Sequence, residues 1–340
     1  GDDCGLSQTK GRRNVAKVIT VTSGKGGVGK TSISLNLSLS LASSGFRVCL
    51  FDADLGLANV NILTGLFPEK GLEQVISGNL SLDEIMIKDF HGIDIIPGSS
   101  GVEKMADLSL KESDALIKAF LNLKAYDYFI FDTSAGISSQ VLSFCMASHE
   151  MVLVVTPEPT SLTDAYSLLK VLAEGRQVPS VKVVVNQVKT RSGALKAWSK
   201  LKETVLRFLS IPISPLGIVA HDKSVYNAVI SQVPFVILSP ESLASKCVES
   251  VARKLVKGTA PGEDIPMELF WHQRFKFFNS RKTKGTRPGA KKDFKADKAV
   301  KDHADARALD YSSQLSDLKK GMSRIDASIS QLVDQVAGIT

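Results

Sequence analysis

A chain of 340 residues that is 44% hydrophobic and 23% charged is large enough to fold as one α/β domain with additions. Its four cysteines, Cys4, Cys49, Cys145 and Cys247, show no Cys-x-x-Cys spacing, which argues against a disulfide framework, a zinc site or an iron–sulfur bridge. No run of 18 apolar residues is present to span a membrane. The net charge of +7 is local, because residues 271–302 carry eleven Lys or Arg against three Asp. The remainder is nearly neutral and lacks the basic face of a nucleic-acid-binding body.

Residues 1–14 are polar and read as a flexible arm. From Val15 onward, short runs rich in Val and Ile recur at Val18–Thr22, Val48–Phe51, Ile93–Ile96, Tyr128–Phe131, Met151–Val155 and Val181–Val185. Each is apolar on consecutive positions, the pattern of a strand buried on both faces. Amphipathic stretches at Ser32–Ser44, Leu110–Leu123, Thr163–Ala173 and Ala194–Leu209 lie between them and predict helices. This alternation predicts a doubly wound, mostly parallel α/β sheet over residues 15–257, with ligands at the carboxyl ends of its strands.

The first strand runs into Gly24-Lys25-Gly26-Gly27-Val28-Gly29-Lys30-Thr31, and Ser32 opens the helix that follows. The segment satisfies the phosphate-loop pattern Gly-x-x-x-x-Gly-Lys-Ser/Thr in its strand–loop–helix setting. Glycines let the backbone curl so that successive N–H groups face phosphate oxygens. Lys30 neutralises the β- and γ-phosphates of ATP, and Thr31 offers its hydroxyl to Mg²⁺. Phe51-Asp52-Ala53-Asp54 ends the second strand. One acid there is placed to hold a Mg²⁺-bound water and the other to orient the attacking water, although such a pair on its own also caps loops. Phe129-Ile130-Phe131-Asp132-Thr133 is an apolar strand ending in Asp, which directs Asp132 to the Mg²⁺ shell, and Gly136 gives the next segment freedom. Asn186 ends a later strand; its amide both donates and accepts, as an adenine edge requires, while an Asn there equally makes a turn. His221 has no partner at metal-ligand spacing and reads as a surface or pocket-edge residue.

Beyond a linker at 258–262, Met267–Phe278 is aromatic and basic. Residues 258–280 therefore predict a linker and an amphipathic helix. Leu269, Phe270, Trp271, Phe277 and Phe278 would enter a membrane interface while Arg274, Lys276, Arg281 and Lys282 meet anionic lipid; packing of the same face on the body is the other outcome. Residues 281–307 read as a basic flexible linker. In 308–340, Leu315, Leu318, Met322, Ile325, Ile329, Leu332, Val336 and Ile339 form an a/d heptad seam, suited to packing on the body or to a coiled coil with a second chain.

The stretch Lys25–Thr31 is the deviant Walker A motif, and the chain resembles the MinD/ParA ATPases over about residues 15–280. Asp52–Asn59, Ile96–Gly101, Asp132–Ile137 and above all Pro157-Glu-Pro-Thr-Ser-Leu-Thr-Asp-Ala-Tyr166 are similar to the FlhG (FleN) branch of flagellar-number regulators. The resemblance implies Mg²⁺-dependent hydrolysis of ATP to ADP and phosphate by an ATP-dependent homodimer, in which Lys25 reaches the partner's nucleotide. It implies that Asp54 positions the attacking water, that Asp52 lies nearer the metal shell, and that Asn186 reads the base. It also implies a cytoplasmic protein, peripheral on the inner face of the cell membrane. Its expected partners are anionic lipid and either an FlhF-like GTPase or a flagellar transcription activator; nucleic acid is not expected. The alternatives are a ParA-type partition ATPase and a nucleotide-dependent antiactivator acting mainly by protein binding. Two departures stand out. Asp2–Ser7 only faintly echoes the N-terminal segment with which such proteins stimulate FlhF, and the tail after Ser280 has no counterpart in the family pattern.

Overall fold

Consecutive burial on both sides defines the centre of a single sheet. Among the described residues it has eight strands: β1 (Lys17–Thr22), β2 (Val48–Ala53), β3 (Ile87–Phe90), β4 (Ile93–Ile96), β5 (Tyr128–Thr133), β6 (Glu150–Val155), β7 (Ser180–Val188) and β8 (Ile213–Ala220). The computed structural model describes residues 16–54, 59–98, 108–123, 126–174, 178–258 and 266–285. The N-terminal arm, most of the basic linker and the heptad segment lie outside them. The strand order is β3-β4-β2-β5-β1-β6-β7-β8, and every pair is parallel except β3–β4. β1, β2, β5 and β6 are buried at every position. The sequence pattern did not announce the two edges. β3 places the adjacent charges Lys88 and Asp89 between apolar ends, and β8 carries Pro215 and Gly217 with much of its length exposed, as edge strands tolerate.

The helices are α1 (Lys30–Ser43), α2 (Asn59–Thr64), α3 (Leu72–Ile76), α4 (Leu82–Ile85), α5 (Leu110–Leu121), α6 (Ser139–Ala147), α7 (Pro159–Ala173), α8 (Arg191–Leu209), α9 (Lys223–Ser231), α10 (Phe235–Leu238), α11 (Leu243–Lys257) and α12 (Met267–Gly285). One face of the sheet packs on α1 and α11 through Ile19, Leu50, Ile130 and Val152. The other packs on α5, α6 and α12 through Phe51 and Phe131, and on α7 and α8 through Leu153 and Val183. α1 departs from its amphipathic expectation: it is buried without interruption from Ile33 to Leu41, because α10 and α11 cover the side away from the sheet. Its polar side chains are satisfied locally. Ser38 and Ser40 donate to the carbonyls four residues back at 2.7 and 2.8 Å, the bond a buried serine makes in a helix.

The C-terminal helix requires a correction. The body does not end near Lys257, since the compact unit reaches Gly285 and α12 packs on α5 and α6. Phe270, Trp271 and Arg274 are 0% exposed. The Phe270 ring lies 4.8 Å from Phe131, Trp271 lies 4.3 Å from Phe120, and the Arg274 guanidinium sits 4.3 Å over the Phe144 ring. Three side chains assigned to lipid thus sit in the protein interior in this structure, because neighbouring rings offer the same apolar and cation–π surface. Leu269 is half exposed, and the side chains of Phe277 and Phe278 lie outside the described residues. Burial pushes the Arg274 pKa down to about 9. The helix continues through residue 285, so the first five residues of the expected linker are helical. No helix among the described residues is long and apolar enough to cross a membrane.

Candidate nucleotide site

The loop after β1 folds as its glycines require. Gly27 and Gly29 have φ of 76° and 87°, the left-handed region that glycine enters freely. Gly24 is needed for a different reason: a Cβ there would stand 2.1 Å from the backbone carbon of Asp164 in α7. The loop is tied on its other side by Gly136, whose N–H donates to the Ser23 carbonyl at 2.9 Å. α1 begins at Lys30, so its positive end and unpaired N–H groups face the loop. Val28 and Lys30 are buried, Thr31 and Ser32 half-buried, and Gly26 and Gly27 exposed.

Two acids meet at the carboxyl ends of β2 and β5, where the register places Asp52 opposite Asp132. Asp52 accepts from the N–H groups of Asp54 at 3.2 Å and Val60 at 3.3 Å. Gly98 packs so closely that a Cβ there would come within 2.9 Å of the Asp52 carboxyl carbon. Asp132 accepts from the Ser34 hydroxyl at 2.9 Å, and Thr31 lies near enough to favour its charged form. Burial, then the charge of Asp132, pushes Asp52 up to about 8. Burial also pushes Asp132 up to about 6, against the pull of Lys30 and the two hydroxyls. Asp54 is half-buried, and its charge reaches both acids.

These residues fit Mg²⁺. The Oδ2 atom of Asp132 is buried with no hydrogen-bond partner among the described residues. The described residues hold no cluster of three or more His, Cys, Asp or Glu. Mg²⁺ needs none, since it keeps several waters and takes phosphate oxygens. Thr31 and Asp132 would hold the ion and its water shell. Asp52, occupied by two backbone amides, would act one layer out. When bound, the ion neutralises phosphate charge and polarises the transferred group. Ser34, one turn beyond Thr31, is a site residue the sequence motif does not include.

Two expected contacts are engaged differently. Lys25 Nζ donates to Glu158 Oε2 at 2.7 Å and to Thr160 Oγ1 at 2.9 Å. The lysine expected to reach a partner is thus held by the start of α7 in its own chain, within the segment Pro157–Tyr166. The Asn186 amide, expected at the base, donates to the Val28 carbonyl at 2.8 Å. Sequence reasoning passed over Glu158 and Thr160 as ligands of Lys25 because nothing local marks them; only packing of α7 against Gly24 brings them there.

A phosphate loop on a buried helix, a cation-seeking acid at the end of the neighbouring strand and a parallel sheet define a P-loop ATPase. A family model described as an AAA domain matches residues 16–182. The antiactivator FleN of Pseudomonas aeruginosa is 40% identical over 72% of this chain and 88% of its own length. The flagellum site-determining protein YlxH of Helicobacter pylori is 32% identical over 74% of this chain and 86% of its own. Among solved structures, the MinC:MinD cell division protein complex of Aquifex aeolicus aligns with a TM-score of 0.56 and 26% identity, over 72% of this chain and 98% of that one. MinD of Pyrococcus horikoshii, complexed with Mg-ADP, shares the fold with a TM-score of 0.55 at 24% identity, over 71% of this chain and 96% of that one. The chain belongs to the MinD/ParA-type ATPases and is related to FleN and YlxH.

Proposed function

We propose that this protein is an ATP-driven switch that dimerises on Mg-ATP, cycles on the membrane through hydrolysis, and regulates flagellar number and placement. The observation that carries the proposal is the convergence of Lys30, Thr31 and Asp132 beneath the phosphate loop, with an unpartnered Asp132 oxygen where a cation belongs. The flagellar role rests on the relation to FleN and YlxH. In the ATP state Lys25 exchanges Glu158 and Thr160 for the partner's phosphates, Asp54 positions the attacking water, and Asn186 lies at the base end of the pocket. The face of α12 now packed on Phe131 and Phe144 turns to anionic lipid on the inner face of the cell membrane. Basic side chains near the surface add about 1 kcal/mol each, which makes the association reversible. An FlhF-like GTPase or a flagellar transcription activator is the protein partner. The FleN relation favours a second form of the proposal, in which nucleotide state mainly selects that activator.

Turnover measured across protein concentration, with and without vesicles containing anionic lipid, tests the switch. Cooperative turnover raised by vesicles supports it, and turnover indifferent to both overturns it. Asp54→Ala should lower turnover about 10²-fold or more while ATP still binds. ATP-dependent capture of the activator with no vesicle effect would favour the second form.

A further inference from the structure

The phosphate loop is braced from behind by two consecutive side chains. Asn186 Nδ2 donates to the Val28 carbonyl at 2.8 Å, and Gln187 Nε2 donates to the Gly27 carbonyl at 3.3 Å. Consecutive residues of a regular strand point to opposite faces. Here both reach the same loop, because β7 breaks its regularity. Gln187 has φ of 56°, and the pairing with β8 shifts register between Val185 and Val188. A non-glycine residue adopts that conformation only where its surroundings hold it there.

We propose that Asn186 and Gln187 form a clamp that sets the conformation of the phosphate loop, so that Asn186 is a positioning residue for phosphate in addition to any contact it makes with the base. The proposal rests on Gly24–Thr31 being the nucleotide site. In a planar trans peptide, the carbonyl and the N–H of one unit point in opposite directions. Holding the Gly27 and Val28 carbonyls toward β7 therefore aims the Val28 and Gly29 N–H groups away from it, to the inner side of the loop. The left-handed glycines at 27 and 29 complete that curl. The fit is mutual, since a Cβ on Gly29 would stand 2.5 Å from Asn186 Nδ2. The clamp is also uncharged, so it shapes the loop without competing with Lys30 for phosphate. Asn186 is 8% exposed; the bond to Val28 uses one Nδ2 proton and leaves its Oδ1 free to accept from a base.

Calorimetric titration of the full chain with Mg-ATP, Mg-GTP and base-free Mg-tripolyphosphate tests this. Asn186→Ala, and the isosteric Asn186→Asp, which turns an oxygen on the Val28 carbonyl, should weaken base-free tripolyphosphate about tenfold and both nucleotides at least as much. Gln187→Gly removes the amide and eases the left-handed backbone. Its unfolding temperature should hold or rise while tripolyphosphate affinity falls about threefold, a split that a merely structural role does not produce. Loss of ATP affinity in Asn186→Ala with tripolyphosphate affinity intact would show a base reader and overturn the clamp. Unchanged tripolyphosphate affinity in all three variants would do the same. A wild-type chain that binds none of the three ligands would instead overturn the nucleotide site itself.

Discussion

Asp52 and Asp132 are brought together by backbone register, not by side-chain reach, so neither can move away from the other. Both are raised above the ordinary carboxylate value of 3.8. The folded chain therefore keeps protons that the unfolded chain releases, and stability falls as pH rises across that interval. The contribution is complete below about pH 4 and is lost as pH climbs through about 6 for Asp132 and about 8 for Asp52. Nucleotide-free protein should unfold at higher temperature at pH 6 than at pH 8, and Asp52→Asn should shrink that gap; an undiminished gap would place its origin elsewhere. The glycines divide by a similar local argument. Gly24→Ala drives a methyl into the backbone of α7, whereas nothing lies within 4 Å of the corresponding position at Gly26. Overpacking costs about 1–3 kcal/mol and more against backbone, so thermal unfolding should show a large loss for Gly24→Ala and little for Gly26→Ala. Lys30, Thr31 and Asp132 were legible in the sequence because their chemistry dictates their spacing. Ser34 was not: Ser32, Ser34, Ser38 and Ser40 look alike along α1, and only packing against β5 selects one of them.

Elements were legible in proportion to how symmetrically they are buried. The central strands announce themselves because water touches neither face. β3 and β8, each wet on one side and interrupted by charge or by proline, do not. α12 exposes the limit of composition as a guide: an aromatic and basic face has the same residues whether it meets lipid or other rings. Its packing supplies a reporter, since the chain has only two tryptophans, Trp198 and Trp271. In a Trp198→Phe background, the emission of buried Trp271 should be that of an apolar site in the free protein and should change when ATP and anionic vesicles are added together. Emission that stays constant would mean that α12 remains docked throughout. Phe144→Ala removes the ring beneath Arg274. It should cost about 3–5 kcal/mol in denaturant unfolding and raise vesicle binding in the absence of ATP.

At the scale of the whole molecule, the sheet carries chemistry at one end and a buried ionic tie at the other. Glu150 on β6 pairs with Lys17 on β1 and Lys182 on β7, and all three side chains are largely shielded from water. Removing one member of such a group leaves the others buried without compensation, at about 3–5 kcal/mol. Glu150→Gln should therefore lower the denaturant midpoint substantially while leaving nucleotide affinity in the surviving folded protein unchanged. The tie holds β1, β6 and β7, the strands that carry the phosphate loop and Asn186, in fixed register at the end away from the site.

The unbroken burial of α1 has a consequence for how the protein senses its medium. Dissolved ions screen a field only where they can approach its source. α1 is closed to electrolyte along Ile33–Leu41, so its dipole is screened only at the partly open end at Gly29–Ser32. Attraction of the loop for phosphate should thus fade only slowly with added salt, whereas the attraction between basic side chains and an anionic surface fades steeply. The two halves of the proposed cycle would then respond to ionic strength separately: rising salt would detach the protein from the membrane before it emptied the nucleotide site.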